Sequence, residues 1–144
     1  MTTAELLEKI SALRVLVVGD ICLDRWCWYD PALALASAET GIPRIGVVRT
    51  EITPGAGGTV SNNLAAFGVA DVAVLGVVGA DGYAWELRHA LAARGIDGSL
   101  LLEVPELQTF TYTKLINTQT DDEDLPRVDF VVTRALSEEV ELQL

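Results

Sequence analysis

Three short, mostly apolar runs, the first two ending in glycine turns and the series broken by helical patterning, constrain this chain more than any other feature. Val15-Leu16-Val17-Val18 runs into Gly19-Asp20, and Val72-Ala73-Val74-Leu75-Gly76-Val77-Val78 runs into Gly79-Ala80-Asp81-Gly82. A third run covers Leu100 to Val104. Continuous rather than alternating apolar residues predict strands buried on both faces of a parallel sheet. Between them, Thr59 to Phe67 has helical spacing and is stopped by Gly68, and Tyr83 to Arg94 is closed by Gly95; glycine is the residue that ends helices most readily. Strands alternating with helices of this length imply βαβ units and a layered α/β fold. Ahead of the first strand, Thr2-Thr3-Ala4-Glu5 has the form of a capping box, and Leu6, Leu7, Ile10 and Leu13 follow at helical spacing, predicting a short amphipathic helix.

Elsewhere the pattern differs. From Thr109 to Thr118 polar and apolar residues alternate, with Thr109, Thr111 and Thr113 set against Phe110, Tyr112 and Lys114. Period two predicts a half-exposed strand. Arg127 to Val132 is strand-like as well, and the two are expected to pair as a hairpin outside the main sheet. Trp26 to Pro54 is less regular, with short extended pieces such as Ile45 to Val48. A last helix is expected to begin at Ser137, with Glu138 and Glu139 in its first turn. The expectation is that Leu144 interrupts this helix and that the domain is cut there. No repeat or low-complexity tract interrupts the chain.

Composition narrows the function classes. Half of the 144 residues are hydrophobic, and a chain of this length buries about 68–70% of its unfolded surface, so a core is expected. Ten Lys and Arg against 21 Asp and Glu leave a net charge of −11. That field repels phosphate backbones and anionic lipid heads, so neither nucleic acid nor a membrane is an expected partner. Cys22 and Cys27 with the single His89 are too few for a four-ligand zinc site, and they read as reduced thiols. The first ten residues carry Glu5 and Glu8 and do not form a signal peptide; with no window of transmembrane length, a cytoplasmic protein is expected.

Several residue groups have the chemistry to bind a ligand. Gly55-Ala56-Gly57-Gly58 fails the dinucleotide fingerprint, because Val60 stands where the third glycine belongs, and it fails the P-loop pattern for want of a following Lys-Ser/Thr. This argues against a nucleotide-binding oxidoreductase. The glycines serve either a ligand approaching the backbone near the free N–H groups of a helix starting at Thr59, or a plain loop-to-helix turn. Asp20 and Asp24 follow the first strand, where open α/β sheets bind ligands. They either accept sugar hydroxyls or act as turn and capping carboxylates. Of Asn62 and Asn63, one is expected to face outward and one to pack. Lys114 and Arg127 either hold a phosphate or are solvated hairpin charges. Trp26, Trp28 and Tyr29 suit either sugar stacking or packing. The acidic run Asp121-Asp122-Glu123-Asp124 reads as a solvated turn rather than a metal site.

Taken in order, these pieces resemble the ribokinase-type (PfkB) carbohydrate kinases from Val15 to about Val132. The resemblance rests on Gly19-Asp20 with Asp24, on Pro54-Gly55-Ala56-Gly57-Gly58 leading to Asn63-Leu64-Ala65-Ala66-Phe67-Gly68, and on Leu75 to Gly82. Within the family, Asp24-Arg25-Trp26, Ser37-Ala38-Glu39 with Ile42-Pro43, Thr113-Lys114-Leu115 and Arg127-Val128-Asp129-Phe130 are similar to the kinase domain of bacterial heptose 7-phosphate kinase/adenylyltransferases. The resemblance implies a layered α/β/α domain, here only its N-terminal part over 1–144, with a small β-sheet lid from segments 42–54 and 109–132. It implies a sugar pocket lined by Asp20, Asp24, Gly55, Gly57, Gly58, Thr59 and Asn63, with Lys114 and Arg127 reaching a phosphate already on the sugar. It further implies ATP and Mg²⁺ as cofactors of the longer enzyme and a homodimer formed through the lid. Three departures stand out: Thr59 replaces the family's usual Asn, Ile116 replaces the heptose group's Arg, and the Gly-x-Gly-Asp motif that carries the catalytic base is absent. No catalytic residue is therefore expected before Leu144, and the chain alone is expected to be inactive. The alternative is a non-catalytic sugar-binding or dimerisation module.

Overall fold

A computed structural model describes residues 2–144. The capping box forms as expected at the start of α1 (Thr3–Ser11): the Glu5 N–H donates to Thr2 Oγ1 at 3.3 Å and the Thr2 N–H donates to Glu5 Oε2 at 2.8 Å. The helix buries none of its residues, and only Ile10 packs on the core from its edge.

Strands β1 (Arg14–Val18), β4 (Asp71–Val78) and β5 (Ile96–Glu103) form a parallel three-stranded sheet in the order β1-β4-β5. Val15 pairs with Val72 and Leu75 with Leu100. Between the strands run α2 (Gly57–Ala66) and α3 (Gly82–Ala92). They cover one face, where Val72, Val74, Val78, Leu87, Leu91 and Leu101 are buried together. The prediction of strands buried on both faces holds for that face alone. On the other, Leu16, Val18 and Leu100 remain exposed, because α2 and α3 both lie on the same side.

The second sheet is mixed, in the order β3-β2-β6-β7. Its strands are β2 (Ile21–Tyr29), β3 (Val47–Ala56), β6 (Thr111–Asn117) and β7 (Val128–Phe130). The expected 109–132 hairpin is the antiparallel β6–β7 pair. The central strand, β2, is not among the predicted elements. It pairs antiparallel with β3 and parallel with β6, and its residues ICLDRWCWY lack clean alternation because one face buries Leu23, Cys27 and Tyr29 while the other buries Cys22 and leaves Asp24, Trp26 and Trp28 partly covered. A 3-10 turn at Pro31–Leu33 and an irregular stretch lead from β2 to β3, and α4 (Glu138–Glu141) follows the Ser137 cap.

Two further expectations are corrected. Strand β6 is not half-exposed on its threonine side: Thr109 and Thr111 are 1% and 0% exposed. Their hydroxyls are satisfied internally, Thr111 donating to the Thr109 carbonyl at 3.0 Å, so they can be buried without an unpaired polar group. Helix α2 begins at Gly57 rather than Thr59, because β3 runs straight into it through Ala56, whose φ is 50°. No helix among the described residues is long and apolar enough to cross a membrane.

Candidate functional site

The two sheets meet where β1 ends. The Gly19 N–H donates to the Leu75 carbonyl at 3.1 Å, and the Asp20 carbonyl accepts from the Gly57 N–H at 2.8 Å. Asp20 thus contributes its backbone to the β3–α2 junction. Its exposed side chain borders a cavity of about 320 Å³ beside Ile21, Val78 and Phe110.

Asp24 does not sit at the end of the first strand but in the middle of β2, opposite Thr53 of β3 and Tyr112 of β6. Two residues on, Trp26 is opposite Lys114. Period-two geometry puts Asp24, Trp26 and Trp28 on one face of the small sheet. On that face the Lys114 Nζ is 3.9 Å from Asp24 Oδ1 and 3.7 Å from the centre of the Trp26 ring. Both charged side chains are about four-fifths covered, at 18% and 19% exposure, so their attraction is less screened than on an open surface. The separation is too long for a hydrogen bond. No other described side chain bonds to the Asp24 carboxylate or the Lys114 ammonium, so acceptor and donor capacity stay free in adjacent groups. The field of Asp24 is felt nearby: burial first, then the Asp24 charge, pushes the Cys22 thiol up to about 11.

Gly55 makes this placement feasible. A Cβ there would lie 2.7 Å from Asp24 Oδ2 and 2.6 Å from Cys22 Sγ. The other two glycines of the cluster have a different use. A Cβ at Gly57 would meet Ile21 at 2.7 Å, and one at Gly58 would meet Pro54 at 2.5 Å. Protein atoms, not open space, lie against both positions. Thr59 is exposed, with its hydroxyl 3.4 Å from the Pro54 carbonyl. Asn63, a turn further along α2, is also exposed, while Asn62 is half-buried. No hydrogen bond among the described residues joins Thr59 or Asn63 to the Asp24–Lys114 pair.

Arg127 lies over the Tyr112 ring at 4.6 Å and is held in a two-pronged ion pair by Asp129, both contacts at 2.8 Å. It stands beside the site, with its charge already partnered. Sequence reasoning left open whether Trp26 stacks or packs, and it missed the role of Tyr112: each is the platform beneath a cation. The two-residue spacing of Asp24, Trp26 and Trp28 was the available signal. On the opposite face, Arg25 pairs with Glu86 of α3 at 3.1 Å and lies over Tyr83, tying the small sheet to the α/β layer. The acidic run is exposed, as expected of a turn, yet Asp124 accepts from the Tyr29 hydroxyl at 2.6 Å and from Asn117 at 2.8 Å. Among the described residues no cluster of His, Cys, Asp and Glu suits a metal ion.

No family model matches the chain. Curated relatives do. The bifunctional protein HldE of Trichlorobacter lovleyi is 32% identical over 139 residues, 96% of this chain and 27% of that protein. The D-beta-D-heptose 7-phosphate kinase of Bordetella bronchiseptica is 36% identical over 123 residues, 85% of this chain and 37% of that protein. The chain therefore spans about a quarter to a third of these relatives' length. Among solved structures, a carbohydrate kinase from Agrobacterium tumefaciens matches with a TM-score of 0.58 at 17% identity, covering 81% of this chain and 34% of that one. The Arabidopsis thaliana ribokinase complexed with ribose and ATP matches at 0.56 and 16% identity, covering 84% and 36%. Over most of its length the chain is similar to bacterial heptose 7-phosphate kinases and bifunctional HldE proteins, and its fold is that of the ribokinase-like sugar kinases.

Proposed function

We propose that this chain is the sugar-binding part of an ATP-dependent sugar kinase, with a phosphorylated heptose as its ligand and the small sheet as the lid over it. The observation that carries this reading is the half-buried Asp24–Lys114 pair, two opposite charges side by side with unused hydrogen-bonding capacity. A carboxylate there accepts two sugar hydroxyls at once, and such charged hydrogen bonds are worth about 1.5–3 kcal/mol each. The ammonium meets a phosphate as a point charge, against the repulsion of a chain carrying −11 overall. Arg127 adds a second cation once the ligand competes with Asp129 for it. The relatives named for heptose 7-phosphate favour that sugar.

No residue of this chain is assigned to ATP or Mg²⁺. The Gly-x-Gly-Asp sequence that the family resemblance assigns to the base does not occur here, so the 144-residue chain is proposed to bind sugar without transferring phosphate. Titration calorimetry with heptose 7-phosphate and with the unphosphorylated heptose tests the binding reading. The expected result is tighter binding of the phosphorylated sugar, with Lys114→Ala reducing the difference. Equal affinity for the two sugars in the parent chain overturns it, and ATP-dependent phosphorylation by the purified chain overturns the inactivity.

One observation favours a second reading, a dimerisation module. Strand β3 is a sheet edge, and its Val47 and Val48 are exposed, a surface that invites pairing. That reading requires a dimer in sedimentation together with no sugar binding.

A further inference from the structure

The geometry points to Asp81 as a positioning residue for the sugar-phosphate site: by clamping Thr109, it sets the register in which β6 presents Lys114 to Asp24. This inference rests on the proposed role of Lys114. Asp81 caps α3, its Oδ1 accepting from the Ala84 N–H at 2.9 Å. The same carboxylate reaches across to the segment before β6. Oδ2 accepts from the Thr109 N–H at 2.8 Å, and Oδ1 accepts from the Thr109 hydroxyl at 2.8 Å. The Thr109 hydroxyl in turn accepts from the Gly79 N–H at 3.0 Å, and the Thr109 carbonyl accepts from the Thr111 hydroxyl. Packing leaves no slack at this point. Thr109 and Thr111 are buried, and a Cβ on Gly79 would lie 2.5 Å from the Leu107 carbonyl and 2.8 Å from Asp81 Oδ2. The clamp therefore joins the β4–α3 turn to β6, whose fourth residue is Lys114. A one-residue slip of β6 along β2 would send Lys114 to the opposite face of the sheet, away from Asp24 and Trp26. Asp81 touches neither Asp24 nor Lys114 in any described contact, so its effect on the site runs through the strand.

The test uses Asp81→Asn, which keeps the shape but turns an NH₂ group toward one of the donors, and Thr109→Val and Thr109→Ser, which remove and restore the hydroxyl. Hydrogen exchange of β6 amides is read alongside the affinity for heptose 7-phosphate. The expected result is faster exchange in residues 111–117 with β4 still protected, and a loss of affinity of about tenfold for Asp81→Asn and Thr109→Val that Thr109→Ser restores. In a Lys114→Ala background, Asp81→Asn should cost less than about twofold, because the two changes remove the same interaction. Unchanged β6 exchange, or full additivity with Lys114→Ala, overturns the inference. If the parent chain binds no sugar phosphate while the clamp variants still loosen β6 selectively, the sugar-phosphate reading fails and the link between Asp81 and β6 stands.

Discussion

Gly19 and Gly55 are both required to be glycine, for different reasons, and substitution separates them. At Gly19 φ is +142° and a Cβ would meet no atom within 4 Å, so the constraint is backbone strain alone. Gly19→Ala is expected to cost about 1–3 kcal/mol in urea unfolding while leaving the Asp24 pocket unfilled. At Gly55 the added Cβ would collide with Asp24 and Cys22. Gly55→Ala is expected to cost about 1–3 kcal/mol as overpacking, and also to weaken sugar binding by displacing the carboxylate. Retained sugar affinity in a folded Gly55→Ala protein would remove Gly55 from the site. Cys22 supplies a probe of the same pocket. With its thiol fully buried and pushed up to about 11, iodoacetamide should label it much more slowly than an exposed thiol at neutral pH, since the thiolate is the reacting form and must also be reached. Ordinary labelling by mass spectrometry would mean that the pocket around Asp24 is more open than described.

At the scale of elements, local signals carried the α/β layer. The capping box at Thr2, the stops at Gly68 and Gly95 and the apolar runs of β1 and β4 were all legible, because each is decided within a few residues. Strand β2 was not legible. Its order is set by partners far away in sequence, β3 on one side and β6 on the other, and its mixed composition records two different environments rather than one period. The same holds for β6, whose alternation reads as a half-exposed strand, whereas Thr109 and Thr111 are buried, Thr109 against Asp81 and Thr111 against the Thr109 carbonyl. For the site, the identities of Asp24 and Lys114 were legible as candidates, while their adjacency depended on the parallel β2–β6 register. Arg25 and Glu86 link the small sheet to α3 with both side chains about three-quarters covered. Removing one partner leaves the other charge half-buried, so Glu86→Ala is expected to lower the thermal midpoint more than Arg49→Ala, whose pair with Glu51 is over half-exposed. Equal shifts in differential scanning fluorimetry would count against a structural role for that link.

For the whole molecule, an excess of carboxylates makes acid the informative perturbation. Burial alone would raise the Asp81 carboxyl, but hydrogen bonds from the Thr109 and Ala84 N–H groups and the Thr109 hydroxyl outweigh it and hold it below its ordinary value. The Tyr29 hydroxyl and then Asn117 lower Asp124 in the same way. A carboxyl depressed in the folded state contributes stability above its unfolded value, about 3.9, and that contribution is lost as pH falls through the folded value. Stability is therefore expected to drop below about pH 4, with a shallower drop in Asp81→Asn; an identical acid limb in the variant would show that Asp81 gains nothing from its partners. The sequence by itself determined the layered α/β character, the cap of α1, the glycine stops after α2 and α3 and the set of charged and aromatic residues available for a site, because these follow from propensity, capping and period over short spans. Only the tertiary structure decided that Asp24 lies inside a small mixed sheet, that Lys114 and Trp26 share its face, that Arg127 is already paired, and that α2 and α3 cover one side of the main sheet alone. Those outcomes depend on which distant strands pair and in which register, and no short window of sequence encodes that choice.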